Sequence, residues 1–264
     1  MYSFILSFSH CFSDGMIYNY SMEFIQNVVE YYDELYPVTE AKKKFYNSVK
    51  KAYMPPVKFL QIGCGTGALE HELAQDGSDV TGLEVSRELI AAANLRRRTQ
   101  LTAVRFFQLS TLDMTRFLGK GFYNVISCLN NRIAFIHDKT LLRKFFFDSK
   151  VLLADNGTLI LELFNFHLTE QTPVTPLPER SSIRVRMMSS LKQGGSKLMY
   201  LNENIETGNG RILKVMENEE VYPLTKEEII SFGKEAGYKE FKFYSSFDMD
   251  EFDQTSRDLI CVIR

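Results

Sequence analysis

The segment KFLQIGCGTGALEHELAQDGSDVTGLEVS, residues 58–86, constrains this chain more than any other. A strand-like apolar run ends directly in Gly63-Cys64-Gly65-Thr66-Gly67, and a helix-like stretch begins at once. So sharp a turn calls for a residue free to take positive φ, which Gly63 supplies. Gly65 and Gly67 lack Cβ atoms, so a ligand can lie against bare backbone. Glu84 closes the next apolar run, where a carboxylate can accept both hydroxyls of a ribose, and Ser86 is placed to cap the helix that follows. Glycines alone would equally fit a tight turn with no ligand. The acid at the end of the second strand tips the balance towards a nucleoside site.

The rest of the chain supplies the architecture. Apolar runs at 57–62, 79–83, 104–109, 123–128 and 158–163 alternate with helix-like stretches starting near Thr66, Ser86, Leu112 and Asp138. Such alternation means βαβ units and a parallel sheet covered on both faces. Ahead of it, residues 1–56 form a helical N-terminal cap. In the cap, Phe24, Val28, Tyr31, Tyr32 and Leu35 share one helix face, Pro37 interrupts, and a second helix runs from Thr39 to about Tyr53.

The main domain spans 57–264, with an insertion at about 167–223. Residues 164–180 look like a proline-rich loop. The stretch 181–221, punctuated by Gly194-Gly195 and Gly208-Asn209-Gly210, predicts an antiparallel meander of about three strands. Thr225-Lys226-Glu227-Glu228 has the capping-box pattern, Gly237 ends that helix, and strands at 239–244 and 258–263 close the chain. The expected class is α/β, a mostly parallel sheet with the helical cap and the β-meander insertion.

At 264 residues and 45% hydrophobic content, one such domain can close its core. A formal charge of −2 argues against a nucleic-acid coat. The basic runs Lys42–Lys44 and Arg96–Arg98 have no aromatic platform and read as solvated helix faces. Cys11, Cys64, Cys128 and Cys261 lie far apart with no CxxC pair, which fits a reducing, cytoplasmic setting better than a zinc ribbon or a disulfide framework. No apolar run reaches the roughly 18 residues of a membrane span. The opening MYSFILSFSHCF lacks a basic leader and reads as an extra helix or a poorly ordered start, not as a signal peptide. No Ser/His/Asp array, P-loop or metal-ligand cluster stands at a persuasive spacing.

LQIGCGTG resembles the LDxGCGTG motif of the class I S-adenosylmethionine-dependent methyltransferases. FYNVISCLNNRIAFIHD at 122–138 is similar to the fourth-strand segment of the glycine N-methyltransferase-like members, and LLADNGTLILELFNF at 152–166 to their fifth-strand segment. SSFDMDEFDQTSRDLICVIR resembles the last hairpin of the family. The similarity spans 57–264 and, more loosely, YYDELYP at 31–37.

The resemblance implies a Rossmann-like fold, with a seven-stranded, mostly parallel sheet in the order 3-2-1-4-5-7-6 and one antiparallel strand. It also implies S-adenosylmethionine as cofactor and methyl transfer to nitrogen or oxygen of a small molecule, with no nucleic acid, membrane or metal involved. The insertion would serve as a lid or as the face of a homodimer. Implied cofactor contacts are Gly63, Cys64, Gly65 and Gly67 with Gln61 ahead of them, then Glu84 and Val85. Ser110 and Thr111 follow strand three, and Leu129 and Asn131 follow strand four.

Gln61 and Ser110 stand where the family commonly has acids, with Asp113 a candidate replacement for the second. Asn130-Asn131-Arg132 replaces Gly-Asn-Ser, so Asn130 and Arg132 are bulkier than the pattern. On the substrate side stand Tyr31, Tyr32, Asn165 (beside Phe164) and Tyr222, and His137 is a candidate base. Two rivals remain. One is a non-catalytic methyltransferase-fold protein with an interaction or regulatory role, motivated by Gln61, Ser110 and Asn130. The other is an NAD-dependent oxidoreductase, since Gly63, Gly65 and Ala68 also satisfy the GxGxxG/A spacing.

Overall fold

Successive side chains of a strand point to opposite faces, so an apolar run with no polar alternation requires cover on both sides. The computed structural model, which describes residues 22–99, 103–169, 172–194 and 198–264, meets that requirement. Strands β1 (Lys58–Ile62), β2 (Asp79–Glu84), β3 (Val104–Gln108), β4 (Tyr123–Cys128) and β5 (Leu153–Phe164) are parallel. With strands numbered along the chain, β12 (Asp258–Ile263) runs antiparallel between β5 and β11 (Phe241–Tyr244). The sheet reads β11-β12-β5-β4-β1-β2-β3, the expected order.

On one face Phe59 packs with residues of α3 (Glu40–Lys50), α4 (Ala68–Ala74) and α5 (Arg87–Thr99). On the other, Leu60 and Ile62 pack with α7 (Lys139–Leu152) and α8 (Lys226–Glu235), while the short α6 (Met114–Phe117) contributes Met114.

The cap differs in detail from the expected long first helix. It is α1 (Met22–Val29), then a break at Glu30-Tyr31, then the single turn α2 (Tyr32–Leu35). The break lets Val28, Tyr32 and Leu35 pack together against Leu89 of α5 and against the insertion. Thr39 caps α3, its hydroxyl accepting the Lys42 N–H at 3.2 Å. Cys11 and the N-terminal apolar stretch lie outside the described residues.

The insertion is a five-stranded antiparallel sheet instead of a three-stranded meander. Strands β8 (Val185–Gln193), β9 (Met199–Thr207) and β10 (Ile212–Val221) are the expected ones. The stretch read as a loop adds β6 (Val174–Pro176) and β7 (Arg180–Ser181), both paired with β8. Runs this short show no alternation, and Pro176 is tolerated because β6 is an edge strand. Residues 195–197, where the sequence predicts a hairpin turn, lie outside the described residues.

Thr225 accepts the Glu228 N–H at 3.3 Å, as a capping box requires. The Glu228 carboxylate also takes the Tyr222 hydroxyl and the Lys139 ammonium, each at 2.7 Å. Cys64, Cys128 and Cys261 are buried and free, and among the described residues no helix is long and apolar enough to cross a membrane.

One residue of α4 sits uneasily in this core. Glu70 is fully buried, and neither carboxyl oxygen has a hydrogen-bond partner. Burial, with Glu84 adding to it, pushes its pKa up from 4.5 to about 8. Between those values the folded chain keeps a proton that the unfolded chain has released. Stability is therefore full at low pH and falls as pH rises through the window, by at most about 1.4 kcal/mol per pH unit. Glu70→Gln removes the titration, so its melting temperature should stay level from pH 4.5 to 8 where that of the wild type falls. Parallel falls in both proteins would clear Glu70 as the cause.

Candidate active site

The glycine loop is tied down by its own backbone. Gly63, Gly65 and Gly67 all take positive φ, at +72°, +56° and +79°. The N–H groups of Gly63 and Cys64 both donate to the Leu83 carbonyl, at 2.8 and 2.9 Å, which lashes the loop to β2. Glu84, 4% exposed, completes the tie. One of its oxygens accepts the Gly65 N–H at 3.0 Å; the other accepts those of Val85 and Ser86 at 2.9 and 3.1 Å. The Ser86 hydroxyl accepts the Leu89 N–H at 3.2 Å as the cap of α5, and that of Ser110 accepts the Leu112 N–H at 3.3 Å.

Beside this loop runs a groove. It brings together five of the expected residues, Gly63, Glu84, Val85, Ser110 and Thr111, from the ends of three different strands. Its apolar walls are Leu109, Ile133, Phe135 and Ile136, and Arg132 reaches in from beyond β4.

Other expected residues lie elsewhere. Cys64 is buried behind the loop, where burial pushes its thiol pKa well up. Gln61 is buried with its Oε1 unpartnered. Leu129 belongs to the core. Asn131, at φ +62°, braces the chain after β4: its N–H donates to the Glu162 carbonyl at 3.0 Å and its Oδ1 accepts the Phe164 N–H. Asp113 pairs with Arg116 at 3.1 Å.

The substrate-side residues divide. Tyr32 comes to the loop. Tyr31 lines a separate polar cleft, its ring 5.1 Å from the Arg184 guanidinium. Asn165 donates to the Gln254 and Ser256 carbonyls at 3.1 and 2.9 Å, so it ties β5 to the segment before β12. Tyr222 donates to Glu228, and His137 lies 3.6 Å from Glu220 on β10, away from the groove.

The glycines show what each bare position is for. A Cβ at Gly67 would run into the Phe106 ring of β3, so that glycine serves packing between helix and sheet. A Cβ at Gly63 would lie 2.7 Å from Arg132 Cγ, and one at Gly65 would collide with the Tyr32 ring. Tyr32 and Arg132 are hydrogen-bonded to each other. They therefore cover the middle of the loop, while the half beside Glu84, Ser110 and Thr111 opens into the groove.

Asp33 holds the cap in this place. It accepts from the Thr66 hydroxyl and the Arg96 guanidinium, and Arg96 Nε donates to the Thr66 carbonyl at 3.1 Å. Arg96 is therefore no solvated charge, and neither is Lys42, which pairs with Glu162 at 3.3 Å. Sequence reasoning did not find Asp33, because an acid on a short helix carries no signal of its own. Arg132 did leave one, in its bulk where the family pattern has serine.

The open half suits a nucleoside: a carboxylate for ribose hydroxyls, two hydroxyl side chains and apolar walls for a flat base. Among the described residues no group of three or more His, Cys, Asp or Glu could hold a metal ion.

Residues 59–157 match the family model described as methyltransferase domain. A relative from Geobacillus sp. (strain WCH70) that carries a methyltransferase name is 30% identical over 112 residues, 42% of this chain and 43% of that protein. The ubiquinone biosynthesis O-methyltransferase of Pectobacterium carotovorum subsp. carotovorum (strain PC1) is 35% identical over 72 residues, 27% of this chain and 30% of that protein. The chain thus matches less than half the length of these curated relatives.

Among solved structures, the CcbJ methyltransferase from Streptomyces caelestis superimposes with a TM-score of 0.74 at 17% identity, covering 90% of this chain and 95% of that one. The S-adenosylmethionine-bound CalS10 amino pentose methyltransferase from Micromonospora echinaspora does so with 0.63 at 22%, covering 85% and 90%. In class, the fold is that of the Rossmann-like class I methyltransferases, and residues 59–157 are the part of the chain that resembles a methyltransferase domain in sequence.

The Asp33 latch is open to test. Asp33→Ala should cost about 1 kcal/mol, since the residue is half-exposed, and should speed hydrogen exchange of the Leu35 and Tyr36 amides. Unchanged exchange there would leave the apolar contacts of the cap as its sole anchor.

Proposed function

We propose that the protein is an S-adenosylmethionine-dependent methyltransferase acting on nitrogen or oxygen of a small molecule. One observation carries the reading: the Glu84 carboxylate, the glycine loop and the Ser110-Thr111 hydroxyls border a single groove at the carboxyl edge of the sheet. In this reading Glu84 accepts the ribose hydroxyls, and Val85, Leu109, Phe135 and Ile136 enclose the base. Ser110 and Thr111 offer hydrogen bonds at the edge of the base, and the backbone of Gly63 and Gly65 receives the amino-acid end. When bound, the cofactor would supply a sulfonium methyl group whose carbon a nitrogen or oxygen nucleophile attacks in line, the carbon–sulfur bond breaking as the thioether S-adenosylhomocysteine leaves.

What the chain contributes is alignment and exclusion of water. The insertion supports the second. Val185, Met187, Ile205 and Val215 of its inner face cover the cap, which favours a lid over a dimer face. A neutral amine attacks without a base, so the absence of His137 from the groove lining is no obstacle. Affinity with the glycine N-methyltransferase-like branch is part of the same proposal and rests on residues 122–138 and 152–166. Against the oxidoreductase rival stands the antiparallel β12 between β5 and β11, a strand that an all-parallel dinucleotide fold lacks.

Calorimetric titration with S-adenosylmethionine and S-adenosylhomocysteine should give saturable heats and a raised melting temperature. Silence at millimolar ligand would end the enzyme reading in favour of a non-catalytic role, and tighter binding of NAD would revive the oxidoreductase. Glu84→Ala should weaken S-adenosylhomocysteine binding by about 1.5–3 kcal/mol, the usual worth of hydrogen bonds to a charged partner. It should also lower stability, because the same carboxylate braces the loop.

A further inference from the structure

One short segment after β4 supplies Arg132, Ile133, Phe135 and Ile136 to the lining of the groove. It is entered through two consecutive residues in the left-handed region, Asn130 at φ +53° and Asn131 at φ +62°. A Cβ atom disfavours that region; after glycine, asparagine tolerates it best, and then as single residues. Two in a row persist only where their surroundings hold them, and such places cluster at functional sites.

The hold comes from β5. Strand β4 ends at Cys128, opposite Leu161, and the next residue of β5 takes both amides of the turn. The Glu162 carbonyl accepts the Asn131 N–H at 3.0 Å, and Glu162 Oε2 accepts the Asn130 N–H at 3.2 Å. Lys42 of α3 donates to the same Oε2 at 3.3 Å, which steadies the carboxylate from the cap side. From the clamped turn, the Asn131 carbonyl accepts the Ala134 N–H at 2.9 Å and starts the 3-10 helix Arg132–Phe135. Glu162 itself is not among the residues that line the groove.

We propose that Glu162 is a positioning residue. By holding Asn130 in its left-handed conformation, it sets the wall that grips the base of the nucleoside ligand, without touching that ligand. The proposal rests on the methyltransferase reading, in which Phe135 and Ile136 enclose the base, and deepens it.

The whole protein is titrated calorimetrically with S-adenosylhomocysteine and with 5′-methylthioadenosine, which keeps base and ribose but lacks the amino-acid end. Glu162→Ala should weaken the binding of both by about fivefold or more, because the wall serves the part they share. Glu162→Gln keeps an oxygen for the Asn130 N–H and should stay within about twofold of the wild type for both. Adding Asn130→Gly to Glu162→Ala should recover most of the loss, since glycine takes positive φ without a steric cost. The same double variant serves if Glu162→Ala does not fold: it should fold and bind both ligands.

A loss confined to S-adenosylhomocysteine would make Glu162 a direct contact of the amino-acid end and overturn the positioning role. Unchanged affinities in Glu162→Ala would overturn it as well. So would a Glu162→Gln variant as weak as Glu162→Ala, which would place the effect in the Lys42 pair, or a double variant that recovers nothing. A wild type that binds neither ligand would sink the methyltransferase reading itself, a result distinct from all of these.

Discussion

With one carboxylate, Glu84 gathers the N–H groups of Gly65, Val85 and Ser86, and so joins the glycine loop to the end of β2 and the start of α5. The Gly65 N–H lies past the reach of the β2 carbonyls that take the N–H groups of Gly63 and Cys64, and a buried N–H left unpaired costs about 1–3 kcal/mol. One acid at the strand end removes that cost for three amides at once. It also brings a negative charge to the groove at the place where a ribose is read to lie. Structure and chemistry meet in the same side chain, so neither can be altered alone.

The cap and the insertion depend on this edge in turn. Tyr32 fits over the loop because Gly65 has no side chain, and Asp33 keeps it there through Thr66 and Arg96. Behind the cap, the inner face of the five-stranded sheet buries Val185, Met187 and Ile205 against Val28 and Leu35. The groove therefore has walls from the strand ends, with the cap seated on the loop beside it and the insertion packed behind the cap. Such layering excludes water from a site without needing a deep cleft in the sheet itself.

Much of this was legible in the residues. The five parallel strands and the glycine loop follow local patterns that reach at most a few residues along the chain, whereas their order and the antiparallel strand follow from the family resemblance. Five of the groove residues, Gly63, Glu84, Val85, Ser110 and Thr111, lie at strand ends, where the pattern of an α/β sheet says a site must form. The short strands β6 and β7 were not legible, because their pairing with β8 is the only thing that makes them strands. Asn165 and Tyr222 were drawn to the site by sequence position, yet their polar atoms are engaged with the 254–256 segment and with Glu228.

By itself the sequence determined the sheet, the bare loop and the acid beside it, since periodicity and glycine chemistry act over neighbouring residues. Only the tertiary structure decided what lies on that loop. Asp33 meets Arg96 across 63 positions of chain, and the phenol of Tyr32 meets the guanidinium of Arg132 over glycines that belong to neither segment. Contacts between charges so far apart in sequence leave no periodic trace; they exist only once packing has fixed the distance between them.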